Sequence, residues 1–372
     1  MPAACGSWKE SPSRRPTVSL PRSSHLGVVV CGAGVFGRNH LRVYRALEDE
    51  GIPVRLAAVV EPDLVRAGAA ATDWGAPVFS SVEECLAARA NNEVDFAAAS
   101  VCTPTSLHFS VSEALLSAGI DLLIEKPIAT TVDEATRLID LAAQRNRVLQ
   151  PGHLERFNPA VLATGSILNH PMFFEAHRLS IFGPRALDVD VVLDLMVHDL
   201  DIVLSLVQSP VSSLHAVGLP ILSRKVDIAN VRIEFESGCV ANFTASRVST
   251  EKVRKLRFFQ PHQYVSIDYA RQDLLVIDVS RAAHADPATF AAAAASADAT
   301  GFPGLHIDKP TVKPGEPLRL EIESFLECVR TRSRPLVSGE DGRAALALAL
   351  EINAAIAAHA ERAGLARFAN QP

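Results

Sequence analysis

The sequence predicts an α/β domain built on a doubly wound parallel sheet, followed by an α+β domain on an open, mainly antiparallel sheet. Three observations predict it. From Leu26 to Gln150 short apolar runs alternate with helical periodicities, the signature of repeated βαβ units. The first of these runs leads without a gap into Gly32-Ala33-Gly34-Val35-Phe36-Gly37, a GxGxxG turn between a strand and a helix. After Gly152 strand signals follow one another with no helices between them.

The elements follow in order. Leu26–Cys31 is a strand, and a helix runs through His40, Leu41, Val43, Tyr44 and Leu47. Val54–Val60 is the second strand and ends on Glu61, 24 residues after Gly37. This is the dinucleotide-binding arrangement of a Rossmann domain. The first glycine permits the tight turn, the second lets backbone amides approach a pyrophosphate, and the third allows helix and strand to pack closely. The helix N-terminus, at Val35 and Phe36, favours the anionic phosphates. Glu61 would accept hydrogen bonds from the adenine ribose and repel a 2′-phosphate, so NAD is the expected cofactor.

A helix over Val65–Asp73, a short strand at Pro77–Phe79, a helix over Val82–Ala90 and a strand over Val94–Val101 continue the pattern. Cys102-Thr103-Pro104-Thr105-Ser106-Leu107-His108 leads into a helix over Phe109–Ala118, which Gly119 would end in a left-handed conformation. The strand Ile120–Ile124, the helix Val132–Arg145 with Thr131 as its cap, and a strand at Arg147–Gln150 complete this domain. In the second domain strands are expected at Phe173–Ser180, Val211–Gly218, Ile228–Glu236, Cys239–Ser246, Lys255–Gln260, Tyr264–Tyr269 and Leu274–Val279, with a hairpin turn at Glu236–Cys239. The alanine-rich stretch from 282 to 317 reads as a long exposed excursion, and helices at Leu320–Arg330 and Asp341–Ala363 finish the chain. The domain assignment is therefore 26–152 for the dinucleotide-binding domain and 153–372 for the second domain. Residues 1–25, rich in Pro, Ser and Arg, form an extension whose composition suits disorder.

At 372 residues with 48% apolar content, the chain can fill two cores. A net charge of −6 supplies no electrostatic footprint for nucleic acid, and no basic amphipathic stretch marks a membrane surface. Six cysteines without CxxC spacing fit buried thiols in a reducing, cytoplasmic setting, and the N-terminal stretch lacks the apolar segment of a secretory signal.

Three groups of residues carry chemistry. The apolar run from Ile120 closes on Glu125-Lys126-Pro127. Pro127 holds Lys126 extended beyond the carboxyl end of the strand, where ligands bind in open α/β sheets. A lysine partly removed from water there can serve as base or acid, whereas the plain reading is a proline at a helix start beside an exposed lysine. The second group lies on the apolar helix from Asp188 to Val207. Asp190, Asp194, His198, Asp201 and Ser205 fall within about 80° of one another on an ideal helix, so they would line an internal cleft. Asp194 could orient His198 or raise its basicity. A metal pair or a solvated stripe are the competing readings. The third group is Gly152-His153-Leu154-Glu155-Arg156-Phe157-Asn158-Pro159 at the domain junction. Arg156 could meet a substrate phosphate or carboxylate, or pair with an acid across the junction, and Asn158 could cap the next helix.

With these pieces in place the chain resembles the Gfo/Idh/MocA family of NAD(P)-dependent sugar oxidoreductases. The resemblance rests on the GxGxxG turn, Thr103-Pro104 with His108, Glu125-Lys126-Pro127, Arg156-Phe157-Asn158-Pro159, and Asp194 with His198. It implies catalytic roles for Lys126, Asp194 and His198. NAD would be held by Gly32, Gly34, Val35, Phe36, Gly37, Glu61, Thr103, Pro104, His108, Glu125 and Lys126. Substrate would meet Lys126, His153, Arg156, Asn158, Asp194 and His198. No metal is implied, and dimers or tetramers through the open sheet are expected. Leu154 stands where many members carry asparagine, so one sugar contact made elsewhere is expected to be missing. The segments 152–159 and 188–201 are most similar to members that oxidise the 3-hydroxyl of UDP-N-acetylglucosamine ahead of an aminotransferase in lipid A synthesis. Oxidation of another UDP-sugar or a polyol, and a sugar sensor that binds dinucleotide without turnover, are the alternatives.

Overall fold

The structure, a computed structural model, describes residues 25–183, 189–279 and 306–365. The N-terminal extension, apart from His25, and most of the excursion from 282 lie outside the described residues.

Six strands make the first sheet: β1 (Leu26–Cys31), β2 (Val54–Val60), β3 (Val78–Phe79), β4 (Ala98–Val101), β5 (Asp121–Glu125) and β6 (Leu149–Gly152). Their order is β3-β2-β1-β4-β5-β6, and every pairing is parallel. Helices cover both faces, so β1, β4 and β5 are buried almost end to end and read as continuous apolar runs. The covering helices are α1 (Val35–Asp49), α2 (Leu64–Trp74), α3 (Val82–Ala90), α4 (Thr105–Ser117) and α5 (Val132–Gln144). Thr131 caps α5 in a reciprocal capping box with Glu134, and Gly119 takes φ +78° after α4.

In the first domain two element starts move by four residues from the sequence expectation. β4 starts at Ala98, and the chain before it runs so close to β1 that a Cβ on Gly27 would stand 2.1 Å from the Asp95 carbonyl oxygen. α4 starts at Thr105, with Pro104 before its first turn, which draws Thr105 to His108 out of the loop and into the helix.

A 3-10 turn (Leu154–Phe157) and α6 (Pro159–Thr164) lead into the second sheet. Its strands are β7 (Phe173–Ile181), β8 (Val211–Leu219), β9 (Ile228–Phe235), β10 (Val240–Ser249), β11 (Val253–Gln260), β12 (Gln263–Asp268), β13 (Asp273–Asp278) and β14 (His306–Asp308). The order is β14-β13-β12-β11-β7-β10-β9-β8. Among the described strands only β7 and β10 pair in parallel, and the end of the excursion supplies β14. Burial alternates along β9 and β11, since one face packs on helices and the other is open. The helix on the packed face is α7 (Val197–Val207), entered through a π-helical turn at Val192–Met196.

The last two helices, α8 (Pro317–Thr331) and α9 (Gly339–Arg362), do not belong to the second domain alone. Leu318, Ile322, Phe325, Leu326, Cys328 and Val329 of α8 sit in the core of the first sheet with Val28, Tyr44 and Leu123. On α9, Leu346 joins the core on the other face of that sheet, while Leu348, Ala349, Ile352 and Ile356 join the second sheet's core. By length and composition α9 would suffice to cross a membrane, but here its apolar residues join the two domains. The division at residue 152 therefore cuts through a shared core. Phe325 is fully buried in it, so Phe325→Ala is expected to cost about 3–5 kcal/mol. Urea unfolding followed by a probe in the first domain should report that loss, and a change under 1 kcal/mol would contradict the shared core.

Candidate active site

Parallel strands end at a common edge, and this edge collects the predicted motifs. β1 ends at the glycine turn, β2 at Glu61, β4 at Thr103, β5 at Lys126 and β6 at His153.

The glycine turn has the shape a dinucleotide requires. Gly32 has φ +95°, and a Cβ on Gly37 would lie 1.8 Å from the Gly32 carbonyl oxygen. A Cβ on Gly34 would meet nothing within 4 Å, so that position faces open space. No side chain caps the N-terminus of α1, and Val35 and Phe36 there are exposed. The Thr103 hydroxyl, at the facing loop beside Pro104, is buried without a hydrogen-bond partner among the described residues. These residues fit an anionic dinucleotide.

Glu61 accepts from the Ala33 amide at 2.8 Å, from the Asp63 amide at 3.0 Å and from Arg66 Nη2 at 2.9 Å. Burial would raise its pKa, but the Arg66 guanidinium and the two amides outweigh it and hold the carboxyl below its ordinary value. Arg66, unrecognised in the sequence, thus offsets part of the negative charge that a 2′-phosphate would meet.

Two residues expected to touch the cofactor also brace this edge of the sheet. His108 is buried, with Nδ1 2.8 Å from the Pro127 carbonyl and Nε2 2.9 Å from the Thr103 carbonyl, so it ties the β4 loop to the β5 loop. Glu125 is also buried and accepts from His40 Nε2 at 2.9 Å, which anchors the end of β5 to α1.

Lys126 crosses from the first domain to the second. Its Nζ donates to the Asp194 carbonyl oxygen at 2.7 Å and stands 3.6 Å from the Asp194 carboxylate. Burial pushes the lysine below its ordinary pKa, while Asp194 and Glu125 pull the other way. Asp194 lies in the π-turn, whose wider path takes it off the regular helical stripe. It makes no hydrogen bond to His198, so the expected orienting contact gives way to the contact with Lys126. His198 Nδ1 is buried without a partner among the described residues. Burial, reinforced by the charges of Lys126 and Arg178, holds its pKa well below the usual imidazole value. The imidazole is neutral at physiological pH.

The rest of the stripe is dispersed over other tasks. Asp190 accepts from the Val192 and Leu193 amides and from Asn353, and so begins the π-turn. Asp201 pairs with Arg156 at 3.4 Å and lies 3.9 Å from His153. Arg156 therefore pairs with an acid across the junction. Asn158 caps α6 through the Ala160 amide and donates to the Tyr269 carbonyl, which commits it to structure. His153 is buried behind Lys126, and burial depresses its pKa. Asp199, outside the stripe, receives two bonds from Arg178, at 2.7 and 3.0 Å. Among the described residues no group of three or more His, Cys, Asp and Glu side chains could hold a metal ion.

Glu321 of α8 escaped the sequence reading. It is fully buried with neither carboxylate oxygen hydrogen-bonded within the described residues, beneath the Glu125 end of β5. The available signal was an acid on the apolar face that carries Leu318, Ile322 and Phe325.

Fold and site together define a dinucleotide-dependent oxidoreductase. Residues 26–153 match the oxidoreductase family with an NAD-binding Rossmann fold, and residues 166–260 match the GFO/IDH/MocA C-terminal domain. The chain is similar to UDP-N-acetylglucosamine 3-dehydrogenase of Acidithiobacillus ferrooxidans, with 35% identity over 91% of this chain and 99% of that one. A solved structure of that enzyme superposes with a TM-score of 0.79 at 33% identity, covering 90% of this chain and 98% of the other. An inositol 2-dehydrogenase of Corynebacterium glutamicum is 30% identical over 49% of this chain and 54% of its own. The WlbA dehydrogenase of Bordetella pertussis, solved with NADH and UDP-GlcNAcA, shares the fold at 17% identity and a TM-score of 0.69, over 90% and 97% of the two chains. This chain belongs to the Gfo/Idh/MocA family and is an NAD-binding oxidoreductase.

Burial, then the nearby Glu125 and Asp201, holds the Glu321 carboxyl well above its ordinary 4.5. The folded state therefore binds this proton more tightly than the unfolded chain, and stability is lost as pH rises from about 4.5 toward the folded value. Glu321→Gln removes that loss. Its stability relative to wild type should climb with pH above 4.5 by up to about 1.4 kcal/mol per unit. Urea midpoints at pH 5, 6 and 7 measure it, and a difference independent of pH would contradict it.

Proposed function

We propose that this protein oxidises the 3-hydroxyl of UDP-N-acetylglucosamine to the 3-keto sugar with NAD+ as acceptor. The observation that carries the oxidation is Lys126, a desolvated amine at the nucleotide edge of the sheet, with His198 near enough to feel its charge. Both are present, which disfavours a sensor without turnover. The substrate assignment is supported by the likeness to the A. ferrooxidans enzyme, which runs through both domains, whereas the C. glutamicum inositol dehydrogenase matches only about half of either chain.

NAD+, when bound, supplies the chemistry of accepting a hydride from the sugar carbon. It would be held by Gly32, Gly34, Val35, Phe36 and Gly37, with Glu61 at the ribose and Thr103-Pro104 alongside. Lys126 takes the proton of the 3-hydroxyl as the carbonyl forms, and the resulting ammonium is met by the Asp194 carbonyl and carboxylate. His198, neutral, holds the same hydroxyl by a hydrogen bond. The proton then leaves Lys126 for solvent. The wider assignment is a cytoplasmic homodimer or homotetramer supplying an aminotransferase in lipid A synthesis. An aromatic row on the open face of the second sheet supports assembly there: Phe173, Phe259 and Tyr264, with ring centroids 5.6 and 5.1 Å apart.

Lys126→Met should lower kcat at least about a hundredfold while NADH binding persists, as fluorescence titration would show. Near-normal turnover would remove Lys126 from the chemistry. For the substrate, NADH formation across a panel of UDP-sugars and free polyols should be greatest with UDP-N-acetylglucosamine. Trapping the product with borodeuteride should place deuterium at C3. Deuterium at C4 or C6, or preferred turnover of a polyol, would overturn the substrate and leave the dehydrogenase chemistry standing.

A further inference from the structure

We propose that Arg254 is the cation that receives the diphosphate of the nucleotide-sugar, a role that rests on the substrate reading above. A diphosphate needs cationic donors in the second domain, and the arginines nearest the junction in sequence do not supply them. Arg156 is paired with Asp201. Arg178 is buried, with Nε and Nη2 on Asp199 and Nη1 on Glu155 at 3.0 Å. Arg247 bonds the Val189 carbonyl and lies 3.7 Å from Asp227. Arg185 is outside the described residues.

Arg254 differs from all of these. The antiparallel pairing of β11 with β7 sets it directly opposite Arg178. Two and four residues further along β11, Leu256 and Phe258 are fully buried in the second core, so Arg254 lies on the same, helix-facing side of the sheet. It is nevertheless exposed. Its charge is close enough to help depress protonation of His198. It makes no ion pair and no side-chain hydrogen bond among the described residues. An uncommitted guanidinium therefore stands on the packed sheet face opposite Arg178, and its charge reaches the imidazole that would hold the reacting hydroxyl. Its planar fork matches two phosphate oxygens. The diphosphate does not react, so energy gained on it can position C3 over the nicotinamide site.

The test uses the full-length protein with NAD+, comparing wild type with Arg254→Gln and Arg254→Lys. Charge-assisted bonds of this kind are worth about 1.5–3 kcal/mol, roughly tenfold to a hundredfold. Arg254→Gln should raise the KM for UDP-N-acetylglucosamine and the Kd for UDP by at least about tenfold. Arg254→Lys should recover part of the loss, and the salt dependence of UDP binding should flatten in the glutamine variant. NADH affinity and melting temperature should match wild type. If wild type binds UDP and Arg254→Gln binds it equally well, this assignment falls and the substrate reading stands. If NADH and UDP affinity fall together with the melting temperature, Arg254 is structural and the assignment falls. If wild type binds no UDP, the substrate reading itself fails.

Discussion

The contact on which the site depends is that between Lys126 and Asp194. Lys126 ends a strand of the first sheet, and Asp194 lies in a π-turn packed on the second. A lysine at the end of a strand is ordinarily hydrated and fully charged. This one is roofed by the second domain, which removes water and lowers its pKa, while the Asp194 carbonyl and carboxylate keep the ammonium tolerable. Neither domain alone produces that balance. Helices α8 and α9, packed in the cores of the two sheets, join the domains that meet at this contact.

A second set of buried charges holds the roof in place. Arg178 on β7 bridges Asp199 on α7 and Glu155 in the junction turn, and it stacks on Tyr269 with 5.1 Å to the ring centroid. Burial works against the guanidinium, but its two carboxylate partners outweigh that and raise its pKa. Removing one partner would strand a buried charge, so such a cluster specifies one seating of α7 on the sheet more than it adds stability. The position of His198, one residue before Asp199, follows from that seating.

Much of this was legible in the sequence. The parallel sheet followed from apolar runs separated by helical periodicity, and β1 and β2 keep their expected bounds, because buried parallel strands have little else to obey. Lys126 was legible because a charge at the end of an Ile/Leu strand before proline has few structural uses. The partner of Asp194 was not. Val192-Leu193-Asp194-Leu195-Met196 contains no glycine or proline to announce a wider turn, so the segment reads as regular helix. His108, Glu125 and Asn158 were legible as polar residues at the right edge. Their direction depended on carbonyls and side chains distant in sequence. Arg254 fell outside the expected strand because β11 begins two residues early, and its face becomes visible only through the pairing with β7. Glu321 lies on the helix face that docks in the first sheet's core, and that docking partner is distant in sequence.

The charges around the cleft also bear on whether Lys126 or His198 is the base in the proposed reaction. A base is useful only if its protonated form is stabilised where it is made. For His198, burial and the cations Lys126, Arg178 and Arg254 all oppose the imidazolium, and no carboxylate hydrogen-bonds to its ring. For Lys126, burial opposes the ammonium, but one carbonyl and one carboxylate of the same residue face it. The first group is shifted toward its neutral form, and the second is pulled both ways. In the proposed reaction these charges favour Lys126 for proton uptake. His198 is left with what a neutral imidazole does well, which is to hold a hydroxyl in line without competing for its proton.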